Sequence, residues 1–216
     1  MDPVSNAPHL ANSPVAATSG GPPLSRYLAF GVLTVAGLAA DLLTKAWLFS
    51  WPGGLGHIYW LIPDYVGLQT SLNEGALFGI GQGAVSLFAA LSLAAALAIP
   101  VWLFAFRAAN DWWLTITLGT VMGGVLGNLY DRLGLSGLRW GPADPRAGEP
   151  VYAVRDWILL QLGDAWRWPN FNIADSLLVV GAAALFLRAW LEPASPASPS
   201  RGSDALTEEP SPDLPN

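Results

Sequence analysis

Four long apolar runs constrain this chain more than any other feature. They fall at about 27–49, 84–106, 112–132 and 172–191, and a helical bilayer crossing needs roughly 20 such residues. In hydrocarbon every backbone amide must be bonded inside the protein, so runs of this kind become helices. Composition agrees, since 52% of the 216 residues are hydrophobic and only 12% are charged. That charged share is about half of what a soluble domain carries. The expected fold is an all-α membrane protein of four transmembrane helices with a small β-containing platform.

The platform is expected in the polar excursion between the first two runs, where 57–62 and 66–71 read as short strands. Trp47, Trp51, Tyr59 and Trp60 gather there, as rings do at headgroup level. Pro100 should kink the second span, because it removes a helical donor. Gly119, Gly123, Gly124 and Gly127 line the third span and should admit a close helix neighbour. A second excursion, about 134–169, contains a Gly- and Pro-rich stretch at 141–150 with the composition of an exposed insertion. Residues 1–25 and 192–216 are rich in Pro and Ser and without periodicity, and they read as disordered tails around a unit of 26–191. The first tail lacks the basic segment, short apolar core and small-residue site of a cleavable signal peptide.

Several chemistries lack material. The chain has no cysteine, which excludes disulfides, thiolate metal sites and a thiol nucleophile. Its two histidines, His9 and His57, leave little for a Ser-His-Asp triad or a His-rich metal centre. The net charge of -6 argues against a nucleic-acid partner. No metal or cofactor is expected.

The polar residues placed in or beside the apolar runs are therefore the candidates. Asp41 and Lys45 stand one helical turn apart with the acid first, the better order for an ion pair. They read as a structural pair, with substrate contact by Lys45 as the alternative. Asp131 near a helix C-terminus is disfavoured by the dipole while Arg132 is favoured, so Asp131 should be held by its neighbours. Asn172 and Asp175 have the spacing of a helix cap followed by an acid at the third position. Asp175 also has a possible partner in Asp156, within Val154-Arg155-Asp156-Trp157-Ile158. Capping alone and a proton-sharing carboxylate pair are both open readings of Asp175.

Four separated motifs stand in a fixed order: Asp41-x-x-Thr44-Lys45, Asn73-x-Gly75-Ala76-x-Phe78-Gly79, Gly127-Asn128-x-x-Asp131-Arg132 and Phe171-Asn172-x-Ala174-Asp175-Ser176. In this order they resemble the lipoprotein signal peptidases (signal peptidase II), the intramembrane aspartyl peptidases of bacteria. The resemblance covers about 27–191. It implies an enzyme of the cytoplasmic (inner) membrane, with both termini cytoplasmic and the β platform and active site near the outer face. It implies cleavage of prolipoprotein signal peptides just before a diacylglyceryl-modified cysteine. Partners would be those precursors and membrane lipids, with the chain acting as a monomer. Carried over, the catalytic acids are Asp156 and Asp175, with Asp131 as a structural rival paired near Arg132. Asn128 and Asn172 would bond the pair or the substrate backbone, Asn73 and Arg132 would clamp substrate, and Asp41, Lys45 and Gly127 would support the site.

The chain departs from the family pattern in three ways. Trp157 replaces the usual Phe after the first acid, an insertion (137–152) separates Arg132 from Asp156, and both tails are long. Basic residues do not orient the spans: Arg26, Arg107, Arg188 and Arg201 oppose Arg132, Arg139, Arg146, Arg155 and Arg167. Two further classes are weighed. A proton-coupled transporter would place its acids at mid-span and show internal repeats, and neither is visible. An inactive precursor-binding homologue would not need every acid and asparagine kept.

Overall fold

The computed structural model describes residues 20–75 and 81–191. Residues 1–19 of the tail expected at 1–25 and all of that expected at 192–216 lie outside the described residues, as do Ala76, Phe78 and Gly79 of the second motif. The elements run α1 (Leu24–Phe49), β1 (Ile58–Ile62), β2 (Val66–Asn73), α2 (Val85–Pro100), α3 (Trp112–Arg132), β3 (Val154–Leu162), β4 (Trp166–Arg167) and α4 (Ile173–Leu191). Helix α1 starts at Leu24, inside the stretch expected to be tail.

Three helical stretches are long and apolar enough to cross a membrane: α1, Val85–Ala105 and α4. Helix α3 is the most buried and packs against α1, α2 and α4. The outward surface is apolar instead, with Val32, Val35, Leu43, Leu87, Leu97, Val180 and Phe186 all exposed. A protein solvated by lipid gains little from hiding leucine, so small and polar side chains take the interior. A Cβ on Gly123 would stand 3.1 Å from the Thr34 carbonyl oxygen of α1, and one on Gly124 only 2.6 Å from the Ala174 carbonyl oxygen of α4. The neighbouring backbones therefore fit only against glycine. Gly124→Ala should force α4 away and cost about 1–3 kcal/mol, read as a lower unfolding temperature in detergent. An unchanged melting curve would refute this close-packing account.

Pro100 acts as expected, and its effect has a definite form. Regular α-helix ends there and Val101–Ala105 continue as a π-helical turn, with the Phe106 N–H donating to the Val101 carbonyl at 3.4 Å. Arg107 in the left-handed region (φ 61°) then ends the helix. Asp111 caps α3 by accepting from the Leu114 N–H at 3.2 Å, and it pairs with Arg188 in the last turn of α4. Leu103, Ala109 and Leu118 form an apolar core at this end.

The opposite end carries an antiparallel sheet in the order β1-β2-β3-β4. Strand β2 runs to Asn73, two residues beyond the stretch expected from sequence. Strands β3 and β4 were not foreseen. Leu68 pairs with Ile158, but Ser71 pairs with Asp156, so β2 contains one extra residue, a β-bulge. The extra residue matters because side chains alternate between faces. Without it Asn73 would face away from Asp156. The insertion is exposed but folded: Arg139 bridges to Pro150, and the Trp140 N–H donates to the Glu149 carbonyl at 3.0 Å.

Candidate active site

The interior next to the sheet is built from charge. Lys45 is fully buried, with Nζ 2.7 Å from Asp41 Oδ2 and 3.0 Å from Asp131 Oδ2, and it donates to Asn128 Oδ1 at 3.1 Å. These three partners use every ammonium donor. Asp41 and Lys45 are in ion-pair contact, and the Lys45 side chain has no exposed surface. Asp131 is also fully buried, and Arg132 is not its partner. The Arg155 Nε lies 2.8 Å from Asp131 Oδ1, and the Arg155 backbone N–H donates to Asp131 Oδ2 at 3.1 Å. Arg155 is the residue that sequence reasoning left out. It was legible in principle, because a side chain adjacent to Asp156 in a strand must point to the opposite face.

The charge cluster also fixes α4. Asp41 Oδ1 accepts from the Ala174 N–H at 2.9 Å, placing a carboxylate at the positive end of that helix. A Cβ on Gly127 would run into the Asp41 carboxylate, so glycine there makes room for the acid.

Asn128 connects this cluster to the two candidate acids. Its Oδ1 accepts from Lys45 and, at 3.2 Å, from Asn172 Nδ2, which leaves its Nδ2 to donate to Asp175 Oδ1 at 2.8 Å. Asn172 Nδ2 also donates to Asp156 Oδ1 at 2.6 Å. Asp175 and Asn172 cap each other reciprocally: the Asp175 N–H donates to Asn172 Oδ1 at 2.9 Å, and the Asn172 N–H donates to Asp175 Oδ2 at 3.2 Å. Capping and participation in a carboxylate pair are thus compatible, because each uses a different oxygen.

Asp156 is almost completely buried on β3, where it pairs with Ser71 just past the bulge in β2. Asn73 Nδ2 donates to its Oδ2 at 3.2 Å, while Asn73 Oδ1 accepts from the Gly75 N–H at 3.0 Å. Expected as a substrate clamp, Asn73 therefore bonds a candidate acid. Burial pushes the Asp156 carboxyl up to about 8, and the Asp175 charge adds to this; hydrogen bonds from Asn172 and Asn73 and the Lys45 charge oppose it. Arg132 is half-buried, donates to the Gly75 carbonyl at 3.3 Å, and its charge acts on Asp175, Asp156 and Asp131. The formal charges of Asp41, Lys45, Asp131 and Arg155 cancel. With Arg132 beside them, Asp156 and Asp175 reach neutrality when they hold one proton between them.

Two clefts flank the Asn73–Gly75 turn. One of about 280 Å³ is lined by Asp156, Asn73, Ser71, Gln82 and Asn170. The other, about 560 Å³, is lined by Arg132, Glu74, Trp140, Arg146 and Tyr152 along with the start of α2. Two carboxyl groups sharing a proton beside a polar cleft can serve as general base and general acid in one site.

The fold and site define a helical membrane protein with a polar interior and a small antiparallel sheet. Two solved structures, each described as a bacterial membrane enzyme determined by the in meso method, share the fold with TM-scores of 0.59 and 0.56. They are 23% and 20% identical, covering 74% and 75% of this chain and 85% and 92% of theirs. In sequence, the lipoprotein signal peptidase of Rhodopirellula baltica is 45% identical over 206 residues, 94% of this chain and 89% of that protein. The corresponding protein of Pseudomonas syringae pv. tomato is 35% identical over 74% of this chain and 84% of its own length. Residues 33–191 match the family described as signal peptidase (SPase) II, and the chain belongs to that family. It is a peptidase of the bacterial inner membrane that removes signal peptides from prolipoproteins.

Proposed function

We propose that Asp156 and Asp175 are the catalytic pair of this peptidase, and that it cuts just before a diacylglyceryl-modified cysteine. One observation carries the reading: Asn172 and Asn128 join both carboxylates into one hydrogen-bonded unit beside a polar cleft. The ionised carboxylate takes a proton from water as the water oxygen bonds to the scissile carbonyl carbon. The protonated partner donates to the carbonyl oxygen. As the tetrahedral intermediate collapses, the C–N bond breaks and a proton passes to the departing amine. The pair titrates as a unit, so the proton belongs to the pair. Asn73, Asn128, Asn172 and Arg132 orient the pair and the substrate. Asp41, Lys45, Asp131 and Gly127 hold those residues in place.

The proposal extends to where the reaction takes place. Helix α3, 21 residues long, would reach about 31 Å at helical rise, and it serves as a fourth span shielded by the other three. Four spans put both ends of the 26–191 peptidase unit, with the flanking tails 1–25 and 192–216, on one side of the membrane, and we assign that side to the cytoplasm. The sheet and both acids lie at the outer face, where water reaches them and the substrate's lipid stays in the bilayer. The enzyme acts as a monomer, since the described chain supplies both acids and all their hydrogen-bond partners.

The test uses the purified full-length protein with one precursor in two forms, with and without diacylglyceryl on its cysteine. Cleavage of the lipidated form alone, with cysteine as the new N-terminus by mass spectrometry, is the expected outcome. Equal cleavage of both forms would remove the lipid from the proposal. The pH profile provides a separate prediction. Because the working pair holds one proton and the upper acid titrates at about 8, the rate should fall as pH rises through that value and the proton is lost. A rate still climbing above pH 9 would contradict proton sharing.

A further inference from the structure

The turn Asn73-Glu74-Gly75 presents the Asn73 amide to Asp156, and among the described residues it has few ties to the bundle. Asn73 Oδ1 is engaged by the Gly75 N–H, which leaves the amide nitrogen to face the acid. From the bundle, the Gly75 carbonyl receives one long bond from Arg132. The middle residue of the turn points elsewhere. Glu74 Oε1 lies 2.6 Å from Arg146 Nη1, on the insertion between α3 and β3.

Arg146 is not a free surface arginine that happens to meet an acid. Its guanidinium carbon lies 3.7 Å from the centre of the Trp140 ring. Its Nε and backbone N–H both donate to Asp144 Oδ1, at 3.1 and 2.8 Å. The insertion holding it is closed on itself by the Trp140 and Gly148 backbone bonds. An exposed ion pair contributes little when two long side chains must be ordered to make it. Here the arginine is ordered beforehand by a ring and a second carboxylate, so Glu74 meets a fixed partner. Arg146 is 41% and Glu74 29% exposed in their side chains, which leaves the pair open to test without disturbing the core.

We infer that Arg146 is a positioning residue for the reaction: through Glu74 it holds the Asn73 turn against Asp156. The insertion thereby works as an external brace on the catalytic sheet. The inference rests on the reading of Asp156 as a catalytic acid. Misplacing a supporting group by a fraction of an ångström acts on the chemical step, since it perturbs the acid and leaves the substrate's main contacts in place.

The experiment measures kcat and KM of the full-length enzyme in lipid nanodiscs with the diacylglyceryl-modified precursor. Arg146→Ala should lower kcat about tenfold with KM nearly unchanged, a modest share of what a misplacement near 1 Å can cost. Glu74→Gln should do the same, and the double variant should be no slower than either single one. Arg146→Lys should recover most of the rate, because an ammonium can still reach Glu74. Unchanged kcat in Arg146→Ala, or effects of the two substitutions that multiply, would overturn the inference. A rise confined to KM would overturn it too, by making Arg146 a substrate contact. Asp156→Asn is assayed alongside. If that variant cuts normally, the assignment of the acid has failed; if it is dead while Arg146→Ala is unimpaired, only the brace has failed.

Discussion

Asp156→Asn and Asp175→Asn should each lower precursor cleavage by roughly 10³-fold or more while leaving the protein folded, the range lost when a general acid or base is removed. Asparagine keeps the shape and one acceptor oxygen, so Asn172 can still donate at position 156, and at 175 it can still receive one capping N–H. What disappears is the exchangeable proton. Because the acids act as a unit, the double variant should be scarcely worse than either single one. Asp131→Asn provides the contrast. That carboxylate is enclosed by Lys45 and Arg155, so its loss should appear mainly as instability, with residual cleavage in whatever fraction stays folded. A folded Asp131→Asn with no activity, beside an active Asp156→Asn, would move the catalytic role to Asp131.

Lys45→Met should be the most destabilising of the buried substitutions. It strips the cation from Asp41 and Asp131, both completely buried. Breaking a buried pair typically costs about 3–5 kcal/mol, because the remaining charge is uncompensated. The loss reaches the site as well, since the donor that fixes the Asn128 carbonyl is removed. Chemical denaturation in detergent gives the measurement. A second variant, Asp41→Leu with Lys45→Met, should regain part of the loss, because an apolar replacement of a whole pair is often near neutral. Unaltered stability of Lys45→Met would mean the cluster is hydrated and the charges are not interdependent.

The helices were legible because span length is set by bilayer thickness: α1, α3, α4 and the second stretch counted through its π-helical turn to Ala105 lie within three residues of the expected bounds. The Asp41–Lys45 pair and the Asn172–Asp175 cap were legible for a similar reason: both are local to one helix. The charge partners of Asp131 were not, because Arg155 arrives from a strand beyond the insertion. Strand β3 hid itself as well. Its apolar stretch, Ile158 to Leu160, lacks the alternation of a half-solvated strand, and both faces are covered near Asp156. The bulge in β2, which turns Asn73 toward Asp156, leaves no mark in Gln69-Thr70-Ser71. The insertion read only as an exposed stretch because its composition is that of a loop, and its fold comes from backbone bonds between Trp140 and 148–149 and from Arg146 lying over Trp140.

The ion pair within α1 has a consequence for biogenesis. A growing chain delivers its first helix to the bilayer before the third exists, so Lys45 must wait for Asp131. Its other partner, Asp41, lies one turn back on the same helix and is present from the start. The first span can therefore enter lipid with its charges already matched, which spares it the cost of a lone ion in hydrocarbon. When α3 follows, Asp131 is accompanied by Arg132 until β3 brings Arg155. Each span is close to neutral in its own charges when it arrives.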